Sequence, residues 1–99
     1  MTIHIFHYHL DAGGVGRVIQ SQIRALLQSF PDYKIEVYSG RSLPQWASDF
    51  PEVRFTHNKV LDYFNYNPKD NHQLERNWEQ LDKLINTRIR KGDIIHFHN

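Results

Sequence analysis

The chain opens on an extended run, TIHIFHYHL. Alternation there sets Ile3, Ile5, His7 and His9 on one side and His4, Phe6, Tyr8 and Leu10 on the other. Both sides are largely uncharged, as in a strand covered on two faces, so residues 2–10 are expected to be a buried β-strand. After Asp11 and three glycines the period changes. Val18, Ile19, Ile23, Leu26, Leu27 and Phe30 recur at helical spacing between Arg17, Gln20, Ser21, Gln22 and Arg24, which predicts a helix over 15–30, stopped by Pro31 and Asp32. KIEVYS, residues 34–39, reads as a second strand ended by Gly40. A short helical turn over 43–49 follows from Pro44 in a first turn. VRFTH, residues 53–57, is a short third strand. Residues 58–71 show no period, and their aromatics (Tyr63, Phe64, Tyr66) read as a surface connection with some rings packed down. From 71 to 90, Leu74, Trp78, Leu81, Ile85 and Ile89 make one apolar stripe with Leu84 beside it, expected to be core. The basic run Arg88 to Lys91 suits the negative end of that helix, with Gly92 as its C-terminal cap. DIIHFHN, residues 93–99, is then the last strand.

Strands alternating with helical segments in the order β-α-β-α-β-α-β predict an α/β, Rossmann-like parallel sheet of strand order 3-2-1-4. Ligands of such sheets collect at the C-terminal ends of the strands. The fourth strand reaches that end at Asn99, where domains of this class continue into another helix. Residues 1–99 are therefore expected to be part of one larger domain. Neither an internal repeat nor a low-complexity segment interrupts the pattern.

Composition sharpens this in three ways. With 39% hydrophobic residues and a mean hydropathy of −0.65, the core must be thin or completed by further sequence. The net charge of +1 and scattered Lys and Arg residues argue against a nucleic-acid partner. Without cysteine there is no disulfide, thiolate metal site or Cys nucleophile. No signal-peptide pattern or apolar run of about 20 residues is present, so a soluble, cytoplasmic protein is expected. A peripheral membrane location of the whole protein is compatible with that.

Two constellations could carry chemistry. Gly13, Gly14 and Gly16 stand between strand and helix, where free N–H groups and the helix dipole favour an anion and glycines let backbone approach a phosphate. Arg17 could add a charge. The loop is not a P-loop, because Gly16 is followed by Arg17 and Val18 rather than Lys and Ser or Thr. Nor is it the dinucleotide fingerprint, since position 19 is Ile19 and the second strand ends in Tyr38 and Ser39 without an acid. A tight turn with close helix packing explains the glycines equally well. Four of the seven histidines form pairs, His7 with His9 and His96 with His98, near the ends of strands that the predicted order makes neighbours. Metal ligation is one reading. Against it, no acid lies beside either pair, and histidines stepping along a strand are not a ligand spacing. Packing residues with one or two polar ligand contacts are the other reading. The long helix carries no chemistry beyond an ordinary core stripe.

Two segments resemble a known family. DAGGVGRVIQSQIRAL after an opening strand resembles the first loop and helix of the retaining GT-B glycosyltransferases that include glycogen synthases and sucrose synthases. KGDIIHFHN resembles that family's fourth strand, commonly an Asp, two aliphatics, His, any residue and His. The resemblance implies a two-domain enzyme that moves a sugar from a nucleotide-sugar donor to a glycan or lipid-linked acceptor, without a metal or other cofactor. It implies that Gly13 and Gly14, with Gly16 and Arg17 beside them, face the donor diphosphate. Gly16 departs from the larger residue common in the family. His96 and His98 match the acceptor side of the cleft, with His7 and His9 next to them. The donor contacts of the second domain and the histidine of the following strand have no counterpart here, so residues 1–99 are expected to be inactive alone and to self-associate through an open sheet edge. A rival expectation is a stand-alone module that binds a nucleotide or phosphosugar without catalysis, and a third is a metal-binding protein built on the histidines.

Overall fold

The computed structural model describes residues 1–11, 13–62, 69–70 and 72–98. Its elements run β1 (Thr2–His7), α1 (Gly14–Ser29), β2 (Lys34–Ser39), a 3-10 turn (Gln45–Asp49), β3 (Arg54–His57), a second 3-10 turn (Lys59–Leu61), α2 (Gln73–Arg88) and β4 (Ile94–Phe97). The four strands form one sheet in the order β3-β2-β1-β4, with every pair parallel. The fold is thus α/β and Rossmann-like, as the alternating pattern predicts.

Alternation along β1 decides which helix covers which face. Ile3 and Ile5 join Ile35 and Val37 of β2 in the main core, together with Leu10, Phe50, Val53 and the α1 residues Ile19 and Ile23. Ile19 and Ile23 lie one helical turn apart and are fully buried, each contributing about 1.5–3 kcal/mol by leaving water. On the other face Phe6 stacks on Tyr38, with ring centroids 4.3 Å apart, and on Phe97 at 5.0 Å. Leu81 and Ile85 of α2 share a cleft with Phe6 and Phe97 there, so α2 lies opposite α1.

Several expectations are corrected at the level of single residues. The first strand stops at His7, three residues early, because Tyr8 to Leu10 already turn toward α1. The last strand is shorter too, Ile94–Phe97. Gly92 does not cap α2, whose C-cap is Ile89. Gly92 instead takes φ +91° in the turn closed by the Asp93 N–H and the Arg90 carbonyl (3.0 Å), a conformation that favours glycine. Trp78 is 66% exposed rather than core. Helical spacing places it on the stripe, yet the described residues offer it no covering layer. The expected packing of Tyr63, Phe64 and Tyr66 lies outside the described residues.

β4 closes one edge of the sheet and is poorly covered. Ile94, Ile95 and Phe97 are all exposed, Phe97 by 66%. A cleft runs along each side of it, one lined by Phe97 and α2, the other by Ile94, His96, Leu26 and Phe30.

Candidate functional site

The glycine loop and the histidine pairs meet at the C-terminal ends of β1 and β4. Gly13 is the N-cap of α1 and takes φ +141°, a backbone that side-chain-bearing residues rarely adopt. It offers no capping side chain, and no acid occupies the first turn. The first helical bond is donated by the Arg17 N–H to the Gly13 carbonyl (3.1 Å). The N–H groups of Gly14, Val15 and Gly16 therefore precede the helical ladder and point outward along its positive end. A Cβ added at Gly13 or Gly14 would meet no atom of the described residues within 4 Å beyond the adjoining backbone. Gly16 differs: an added Cβ would stand 2.5 Å from the Asp11 carbonyl oxygen, so its bareness serves close packing of α1 on the loop. Arg17 is exposed beside the opening, with no ion-pair partner among the described residues.

The four histidines are gathered as their positions predict. The register pairs Ile5 with His96, so continuing it brings His98 beside His7, and the His98 N–H donates to the Phe6 carbonyl (3.0 Å). The rings form a chain: His9 to His7 at 4.8 Å, His7 to His98 at 6.4 Å, and His98 to His96 at 4.5 Å between centroids. His7 is 4% exposed. Its Nδ1 lies 3.0 Å from the His98 carbonyl oxygen, which can only accept, so Nδ1 carries the proton. Its Nε2 is buried and has no hydrogen-bond partner among the described residues. His98 Nε2 lies 2.8 Å from Gln22 Oε1, tying the end of β4 to α1. Burial, with His96 and His7 adding to it, lowers the pKa of His98 and so favours its neutral form. No group of three or more His, Cys, Asp or Glu side chains able to hold a metal ion occurs among the described residues.

Beside the loop, Arg41 joins three segments. Its Nε donates to Asp62 Oδ2 (3.2 Å), its NH1 lies 3.6 Å from Asp11 Oδ2, and its guanidinium covers the Tyr8 ring at 5.3 Å. The Asp62 hydrogen bond raises the pKa of Arg41, so its charge is permanent. His9 Nδ1 accepts from the Asp11 N–H (3.2 Å), which orients that ring over the loop. The Asp11 carboxylate is thus drawn toward Arg41 at the edge of the crevice.

A second polar cluster escaped the sequence reading. His4 is fully buried in mid-β1, with Nε2 2.8 Å from Asp93 Oδ2 and Nδ1 2.8 Å from the Tyr38 hydroxyl. Tyr38 donates in turn to Glu36 (2.5 Å), and Arg54 lies 3.8 Å from the other Glu36 oxygen. Burial first, then the Glu36 hydrogen bond, pushes the Tyr38 hydroxyl well above its ordinary range. Asp93 also accepts from the N–H groups of Arg90 (2.9 Å) and Thr2 (3.1 Å). The Arg90 bond, then the His4 bond, bring its pKa down to about 2. Lying toward the strand starts, the cluster fastens β4 to β1 and β2 rather than facing the crevice. The available signal was Glu36 itself, since an acid inside a covered strand requires partners.

No helix among the described residues is long and apolar enough to cross a membrane. No protein-family model, curated protein or solved structure matches this chain.

Proposed function

We propose that this chain is the N-terminal, acceptor-side part of a retaining glycosyltransferase of GT-B architecture, which moves a sugar from a nucleotide-sugar donor to a glycan or lipid-linked acceptor. The observation that carries this reading is the start of α1. It is an uncapped helix N-terminus with open space over Gly13 and Gly14, at the strand ends where α/β sheets receive ligands. The Gly14 and Val15 N–H groups meet the donor diphosphate, and Arg17 adds positive charge at the rim. His7, His9, His96 and His98 form the acceptor-side wall. Gly16 keeps α1 close to the loop and does not itself touch the ligand. The chain's own residues bind and orient, and neither a metal nor another cofactor takes part.

The base and ribose of the donor are held by a second domain, so the described site is half of the cleft. The exposed apolar residues of β4 fit that view, because Ile94, Ile95 and Phe97 leave surface that a neighbouring element would cover. Residues 1–99 alone transfer no sugar. Calorimetry with uridine diphosphate tests the reading: little or no saturable heat is expected from this chain. Saturable binding of uridine diphosphate with a dissociation constant far below about 1 mM, weakened in Gly14→Val, would favour a stand-alone nucleotide-binding module instead.

A further inference from the structure

The buried Nε2 of His7 is a polar atom without a hydrogen-bond partner among the described residues. Buried acceptors are nearly always satisfied, and an orphan of this kind marks a missing partner. Its chemistry is set by the other ring nitrogen. Because Nδ1–H is committed to the His98 carbonyl oxygen at 3.0 Å, the neutral ring presents Nε2 as a bare lone pair. A lone pair cannot bond to phosphate or carboxylate oxygens, which are acceptors as well. It takes a hydroxyl or an N–H.

The place of the ring narrows the ligand further. His7 shares the α1-facing side of β1 with Ile3 and Ile5, which pack against Ile19 and Ile23. It is the last residue of β1, so it lies at the end of the sheet where α1 begins. The rings of Tyr8 and His9 stand beside it at 4.6 and 4.8 Å between centroids. His9 is half-buried, and its Nδ1 accepts one backbone hydrogen bond, from Asp11. His98 is hydrogen-bonded to Gln22, and its ring centroid stands 6.4 Å from that of His7.

We propose that His7 Nε2 is the recognition atom for a neutral hydroxyl group of a polyol or sugar, reached when the His9 ring swings aside. The proposal rests on the reading that ligand binds over the start of α1, and it divides the labour there. Backbone N–H groups of the glycine loop take the anionic part, and His7 takes a hydroxyl, so an anion alone leaves His7 unsatisfied.

The experiment is nitrogen-detected NMR of the histidine side chains in the uniformly labelled 99-residue chain, titrated separately with ethylene glycol, 1,2-dimethoxyethane and inorganic pyrophosphate. In the free protein, His7 should show a proton on Nδ1 and none on Nε2. Ethylene glycol should move the Nε2 resonance upfield and leave Nδ1 in place, whereas dimethoxyethane, which has no donor, should leave both unmoved. His9→Ala should enlarge the glycol response several-fold by clearing the path, and His7→Phe should abolish the response of the Tyr8 and His9 amides. A protonated Nε2 in the free protein, or equal effects of glycol and dimethoxyethane, would overturn the proposal without any variant having to fold. Pyrophosphate reports separately on the loop: it should shift the Gly14 and Val15 amides and not His7 Nε2. If those amides stay still while glycol moves Nε2, the diphosphate reading fails and the hydroxyl site stands.

Discussion

Gly14 and Gly16 sit two positions apart and answer to different constraints. An added Cβ at Gly14 meets open space, while one at Gly16 would stand 2.5 Å from the Asp11 carbonyl oxygen, a backbone atom with little room to yield. Gly16→Ala is therefore expected to lower stability by about 1–3 kcal/mol, visible as a lower urea midpoint. Gly14→Ala is expected to stay within about 0.5 kcal/mol of the native chain. Equal midpoints for the two variants would show that the packing assigned to Gly16 is wrong. Spacing alone could not separate these glycines, because the discriminating neighbour is a carbonyl oxygen five residues back, whose position depends on the path of the loop. Gly40 makes the same point: a Cβ there would lie 2.6 Å from the Leu61 carbonyl carbon and 2.7 Å from Asp62 Cα. Gly40→Ala should cost at least about 1–3 kcal/mol, measured by the same unfolding curve.

Among the elements, β4 depends most on one side chain. Asp93 accepts from Arg90, Thr2 and His4, and so ties the start of β4 to β1. Its carboxyl ordinarily titrates near 3.8 and in the folded chain near 2. The unfolded chain thus holds this proton more tightly, so the contribution is complete above pH 3.8 and is lost as pH falls through about 2. Asp93→Asn should be less stable than the native chain at neutral pH, and the gap in urea midpoint should close between those two values. A gap unchanged at pH 2 would show that Asp93 acts by shape and not by charge. The elements themselves were legible: KIEVYS forms β2 as expected and the 3.6-period run forms α1 within a residue at each end, while the period-2 run starts β1 where expected but ends it three residues early. The histidine gathering was legible too, because it needs only strand order and register. The His4, Tyr38, Glu36 and Asp93 network was not, since its members lie on three different segments and meet only across the sheet.

For the molecule as a whole, the telling feature is unequal covering. One face of the sheet is closed by α1 with fully buried Ile5, Ile19, Ile23 and Val37, while β4 and Trp78 leave large apolar groups in water. Such an edge pairs readily with another strand. The isolated chain should therefore show a mass that rises with concentration in light scattering, and Phe97→Lys should suppress the rise. A constant monomer mass throughout would remove the expectation. The composition foreshadowed this imbalance through its low hydropathy, but could not locate it, because exposure depends on which elements lie beside β4.

The central claim is that the start of α1 is half of a diphosphate site. An amide-resolved NMR titration of the 99-residue chain with pyrophosphate, beside Gly14→Val, tests it most directly. The account predicts shifts at Gly14, Val15 and Arg17, with a dissociation constant on the order of 1 mM or weaker, and their loss in the variant, where a branched side chain covers the N–H groups. Loop amides that remain unmoved by pyrophosphate in the native chain, or shifts that persist unchanged in Gly14→Val, would contradict it.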